Sequence, residues 1–222
     1  MTPQSGESEE ETKAMAFKND MTWMYVMHDA LRRELECIAR VTARPDDDPK
    51  QVLRTAAGWE MFKSYLRIHH TAEDDMLWPP MRQALAEDSD GQALLDAMED
   101  EHAAIDPLLA AIDAAAADPD TGPQRLGELT DALATALHAH LKHEEDEGLA
   151  LIDATITAEQ WQALGVETGK RLGDDVQRYM PWVLQDAPPE VTARLLGQFP
   201  PPLLSAYRYQ WQPAYAKLTL WP

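Results

Sequence analysis

The chain has 222 residues, long enough for one domain of ordinary size with further structure appended. Its 39 acidic residues against 19 basic ones leave a formal charge of −20; this argues against a phosphate backbone or an anionic membrane surface as partner, since both need clustered Lys and Arg. No run approaches the ~20 apolar residues of a membrane span, no secretory leader pattern opens the chain, and the single cysteine, Cys37, can form neither an internal disulfide nor a thiolate cluster, so a cytoplasmic location is expected.

The elements are taken in chain order. Residues 1–13 are acidic, contain Ser and Gly, and offer no apolar anchor, which predicts a disordered lead-in. A first helix runs from about Phe17 to Thr42 and stops at the Pro- and Asp-rich stretch 44–49. A second covers about Lys50 to Leu77 and is ended by Trp78-Pro79-Pro80. A third begins near Asp90-Gly91 and ends at 118–123, with Pro107 inside it predicting a kink; the fourth continues to about Asp153. Prolines and Asp/Gly clusters punctuate helices for steric reasons, and links this short favour antiparallel neighbours.

Apolar residues recur at steps of three and four. The first helix carries Met21, Met24, Leu31, Leu35 and Ile38; the second carries Val52, Trp59, Phe62, Leu66 and Met76. Leu95, Met98, Ile105, Leu109 and Ile112 mark the third, and Leu126, Leu129, Leu133, Leu137, Gly148 and Leu151 the fourth. Such seams turn one face of each helix into a shared core, which predicts an all-α, up-down-up-down four-helix bundle over 14–155. Residues 156–222 change character, with shorter helices expected at 158–172, 189–198 and 203–211 between Pro-rich joints, and four tryptophans. This C-terminal extension is expected to pack on the outside of the bundle. A homo-oligomer interface and a lid over a channel stay open as alternatives.

Six polar residues interrupt the seams: His28, His69, Glu73, His102, His140 and Glu144. A lone histidine on an apolar face is usually a satisfied core residue. That reading weakens when all four seams carry one and two of them add a glutamate, because burying an unpaired carboxylate costs several kcal/mol. No Lys or Arg lies on these seams, so a shared metal charge is the remaining partner. The rise of 1.5 Å per residue brings all six to one layer within roughly 10 Å. His69 with Glu73, and His140 with Glu144, are each four apart and project from one helix face. A lone His followed by His-x-x-x-Glu occurs twice, which predicts two metals, each with two imidazoles, bridged by the two glutamates. Imidazole with bridging carboxylate suits iron, with manganese second and zinc less natural.

This pattern resembles the hemerythrin-like family in its HHE cation-binding branch, over about residues 17–153. His28 matches the first-helix ligand, His69 with Glu73 the second-helix pair, His102 the third-helix ligand and His140 with Glu144 the fourth-helix pair; Leu77-Trp78-Pro79 is similar to the Leu-Phe-Pro that commonly follows the second motif. The resemblance implies a non-haem di-iron centre that binds or reacts with O2, peroxide or NO. One departure matters: oxygen-carrying hemerythrins have His-x-x-x-His on the third helix, but here Asp106 stands four after His102. Their fourth-helix carboxylate is an aspartate five after the histidine, whereas Glu144 follows His140 by four. A more open iron shifts the expectation from carrying oxygen toward reacting with it, including peroxide decomposition. An iron or oxygen sensor acting on a protein partner is the alternative, and a metal-free or zinc-filled structural bundle is a third reading.

His70, His143 and Asp106 adjoin the inward positions as candidates for an outer contact or an extra ligand. A one-residue offset turns a side chain about 100°, so a flank position is the plainer reading of the two histidines. His138 is expected on the surface. The acidic runs at Asp74-Asp75 and 145–147 read as a solvated face that could also touch the ligands. Glu99 with His102 gives one Glu-x-x-His of the ferritin-like kind; without a second copy that fold is set aside.

Overall fold

The computed structural model describes residues 17–43, 48–120 and 122–221; the acidic lead-in expected at 1–13 lies outside them. Among the described residues every regular element is helical. The bundle comprises α1 Thr22–Thr42, the short α2 Pro49–Thr55, α3 Ala57–Met76, the short α4 Trp78–Ala84, α5 Ser89–Ala117 and α6 Pro123–His143. A π-helical stretch, Glu144–Gly148, joins α6 to α7 Leu149–Thr155. The extension holds α8 Ala158–Leu172, α9 Val176–Val183, α10 Pro189–Gly197, α11 Pro201–Ala206 and α12 Gln212–Tyr215.

The core is two apolar clusters separated by a polar layer. One contains Leu31, Phe62, Leu66, Ile105, Leu109, Leu133 and Leu137. The other contains Met21, Met24, Leu77, Leu95, Met98, Leu149 and Ile152. Along α1 and α5 the chain passes from the second cluster through a histidine to the first; along α3 and α6 it passes the opposite way. That reversal is the up-down-up-down alternation. Each fully buried Leu or Phe stabilises this arrangement by about 1.5–3 kcal/mol, and Leu31, Phe62, Leu133 and Leu137 are all fully buried.

Several boundaries differ from expectation. The second helix is two, separated by the extended Ala56. The Gly58 N–H, left without a partner by the break, donates to the Leu220 carbonyl at 3.0 Å, and the Trp221 ring lies where a Gly58 Cβ would stand. The prolines after Trp78 do not end the helical path but occupy the first turn of α4, where a missing N–H costs nothing. Pro107 sits inside α5 without ending it. In the fourth segment the seam leaves Glu144 by a step of five to Leu149 and then Ile152, both buried, while Leu151 is only half-buried. A π-helical turn inserts the extra residue that this step requires. The helix α9, with Pro181 inside it, is additional to the three helices expected in the extension.

The extension packs on the bundle as expected. Its first helix, capped by a reciprocal Thr157–Gln160 box, lies against α3, and α9 lies against α1. Gly173 closes α8 with φ +51°, a backbone region that strains any residue with a Cβ. Trp182 is fully buried; its carbonyl accepts from Arg33 Nη2 at 2.8 Å, and the Arg33 guanidinium covers its ring at 5.4 Å. The buried Glu34 carboxylate takes the Trp221 indole N–H at 2.7 Å. No helix of the described residues is long and apolar enough to cross a membrane.

Candidate metal centre

The six seam residues all lie in the polar layer, and all are buried. Ligand atoms of His28, His69 and Glu144 fall within 4.8 Å of one another, as do those of His70, His102 and His140. Glu73 stands between the groups: one oxygen is 3.2 Å from His69 Nδ1 and the other 3.7 Å from His102 Nε2. His28 falls with His69 and His102 with His140. Glu144, expected as a second bridge, lies with His28 and His69, and the imidazoles are shared three and two rather than two and two. His70 makes the difference. It is 6 % exposed, stacked on His102 with ring centroids 3.9 Å apart. The 100° offset from His69 that marks it as a flank residue is what aims it at α5, because α3 lies between the two half-sites. One sign lies in the sequence: Asp106 stands where a second histidine on α5 would face the layer, and His70 supplies an imidazole from the facing helix.

The other neighbours sort by geometry. Asp106 stays at the surface, 3.9 Å from Arg67, on the rim of a polar cleft of about 260 Å³ that reaches His70 and His102. His143 is half-buried and donates from Nδ1 to Glu101 at 2.8 Å. Glu99 is held by Arg82 at 2.7 Å, away from the layer. His138 is exposed, as expected.

Three imidazoles are gripped from outside. His28 Nδ1 donates to Glu145 at 2.7 Å, and Arg32 holds the other oxygen of that carboxylate at 2.8 Å. His102 Nδ1 donates to Asp74 at 2.7 Å, which also accepts from the Trp78 indole at 2.9 Å. His140 Nδ1 donates to Glu101 at 3.0 Å. A carboxylate on Nδ1 fixes the tautomer and leaves the Nε2 lone pair pointing inward. Glu101 is the one member of this outer ring that the sequence reading passes over; its position next to His102 on α5 is the only local sign.

Burial, followed by the neighbouring imidazoles, holds His69 and His70 well below the ordinary histidine range. Burial also lowers His140. These rings stay neutral with lone pairs free. Burial acts to lower His28 as well, but hydrogen bonds and charge from Glu144 and Glu145 override it and raise the ring to about 9. Glu73 is pushed well up by burial and by Glu144. Burial would raise Glu144 too, but contact with His28 brings it down.

The residues fit a bound metal. His69 Nε2, His70 Nε2 and both Glu73 oxygens are buried and take part in no hydrogen bond among the described residues. Leaving such groups unmatched costs roughly 1–3 kcal/mol each. His102 Nε2 and His140 Nε2 face each other at 3.1 Å while both Nδ1 atoms are engaged with carboxylates, so two lone pairs meet. A cation coordinated by this donor set would remove both difficulties together.

A four-helix bundle with a buried histidine–carboxylate layer defines a metal-binding bundle protein. The hemerythrin HHE cation-binding domain matches residues 19–152, well over half of the chain, and the protein belongs to that family. No curated protein and no solved structure matches it.

Proposed function

We propose that this protein holds a pair of iron ions in the polar layer and uses them to bind or react with O2, peroxide or NO. The observation that carries the reading is the double group of ligand atoms with Glu73 between them. His28, His69 and Glu144 would hold one ion, His70, His102 and His140 the other, with Glu73 within reach of both groups. When bound, such a pair supplies adjacent redox-active Lewis acids on which small oxygen or nitrogen-oxide ligands can settle. The chain's own part is to keep His69, His70 and His140 neutral through burial, aim the Nε2 atoms of His28, His102 and His140 inward through Glu145, Asp74 and Glu101, and exclude bulk water with the apolar clusters on either side. Imidazole nitrogens together with buried carboxylates suit iron or manganese better than zinc.

Metal analysis of the purified protein tests this, with about two irons per chain expected and visible absorption in the ferric state. Peroxide consumption is then compared with a His69→Ala/His140→Ala variant. Iron-free protein, or equal consumption by both forms, would sink the proposal.

A further inference from the structure

Beside the metal layer lies a second feature that the bundle alone does not make. A cavity of about 420 Å³ opens between α1, α3, α8 and α9, with Phe199 and Leu203 also on its wall. Its wall includes the buried His69 and Glu73 at one extreme of exposure, and the half-buried Trp23 and Trp161 and the exposed Leu203 at the other. Residues 161–203 supply more than half of the wall, and they lie beyond the 19–152 region that the family covers. The volume falls within the range of sites for organic ligands of drug-like size.

The wall selects a class of occupant. No Lys or Arg lines it. The Tyr65 hydroxyl donates to Asp175, the Thr168 hydroxyl to the Leu164 carbonyl and the Trp161 indole N–H to the Asp20 carbonyl. Among the described residues the Tyr179 hydroxyl meets only the Met27 sulfur, and His69 and Glu73 carry buried polar atoms without a hydrogen bond; with the Trp23 indole these are the polar groups that the wall offers an occupant. Along this wall a free carboxylate or sulfonate would find no Lys or Arg and would give up its hydration against apolar side chains.

Two glycines point to the same use. Gly165 and Gly169 lie one turn apart on α8 and both line the cavity. Glycine disfavours a helix interior more than any residue but proline. Neither position is needed for close packing, since a Cβ at either would meet nothing within 4 Å. Both are exposed, so they border the solvent side of the cavity and leave its mouth unobstructed.

We propose that this cavity binds a neutral, largely hydrocarbon small molecule, with one end held beside His69 and Glu73. The inference deepens the metal-centre reading by naming the class of organic molecule placed next to it. Any role as substrate rests on that reading, whereas binding itself does not.

The test uses the full chain and the neutral fluorescent probe N-phenyl-1-naphthylamine. Saturable one-to-one binding is expected, with quenching of tryptophan emission through Trp23 and Trp161. Gly165→Leu and Gly169→Leu, made separately, should each weaken it by at least about tenfold, while the circular dichroism and metal content stay unchanged. Leucine is the better helix former, so neither change threatens α8; should one variant misfold, the other carries the comparison. The anionic 8-anilinonaphthalene-1-sulfonate should bind at least about tenfold more weakly than the neutral probe. Absence of saturable binding, equal affinity in a folded glycine variant, or equal affinity for the anion would overturn the proposal. Metal assayed on the same samples separates the two readings: iron without probe binding removes the cavity site alone, and probe binding without iron removes the metal centre alone.

Discussion

Three carboxylates, Asp74, Glu101 and Glu145, do not reach the polar layer, yet each sets the direction of an imidazole that does. Removing the charge while keeping the shape isolates that effect. Asp74→Asn and Glu101→Gln should each weaken iron binding about 10–100-fold in chelator competition, with far-ultraviolet dichroism unchanged. Unaltered affinity would mean that packing alone orients His102 and His140. His70 and His143 give a second contrast, since both neighbour ligand positions but only His70 is buried in the layer. His70→Ala should lower the iron content, whereas His143→Ala should leave it at the wild-type value. The six residues on the seams were legible because each replaces an apolar residue at a core position. His70 could be named only as a candidate for an outer contact or an extra ligand, because its place depends on which side of α3 the neighbouring helix lies, and spacing along one helix does not contain that.

At the scale of elements, the helices that follow a three-four rhythm were legible to within a few residues, and the departures have distant or local physical causes. The break at Ala56 is supported by Leu220 and Trp221, more than 160 residues away in sequence, so no local pattern announces it. A Cβ at Gly58 would stand 2.4 Å from the Trp221 ring. Gly58→Leu should therefore displace the C-terminal strap and lower stability by about 1–3 kcal/mol, read as a reduced denaturation midpoint; an unchanged midpoint would show that the strap contributes nothing. The π-helical stretch has a closer cause. A Cβ at Gly148 would approach Glu144 Cγ to 2.9 Å, so the glycine makes room for the ligand carboxylate one turn earlier. Gly148→Val should reduce iron content along with stability. A variant with full iron occupancy would show that Glu144 can be placed without this space.

For the whole molecule, the extension and the bundle share one apolar cluster: Trp182, Val191 and Leu195 pack with Phe62, Leu109 and Leu133. Truncating Trp182 to Ala should cost about 3–5 kcal/mol, observed as a lower melting temperature. A change within experimental error would mean that the extension only rests on the bundle. The other apolar cluster, built from α4, α7 and the ends of α1 and α5, draws Leu164 and Trp161 from the extension but none of its later helices. Between the two clusters lies the histidine–carboxylate layer, with α8 reaching both through Leu164 and Leu172. With metal ions in place that layer would be a set of cross-links; without them it is a seam of poorly matched polar groups. The stripped protein should then open as two cooperative units instead of one. Hydrogen exchange would show it as faster loss of amide protection in α4 and α7 than in the half containing Phe62 and Leu133, a difference that reloading the metal erases.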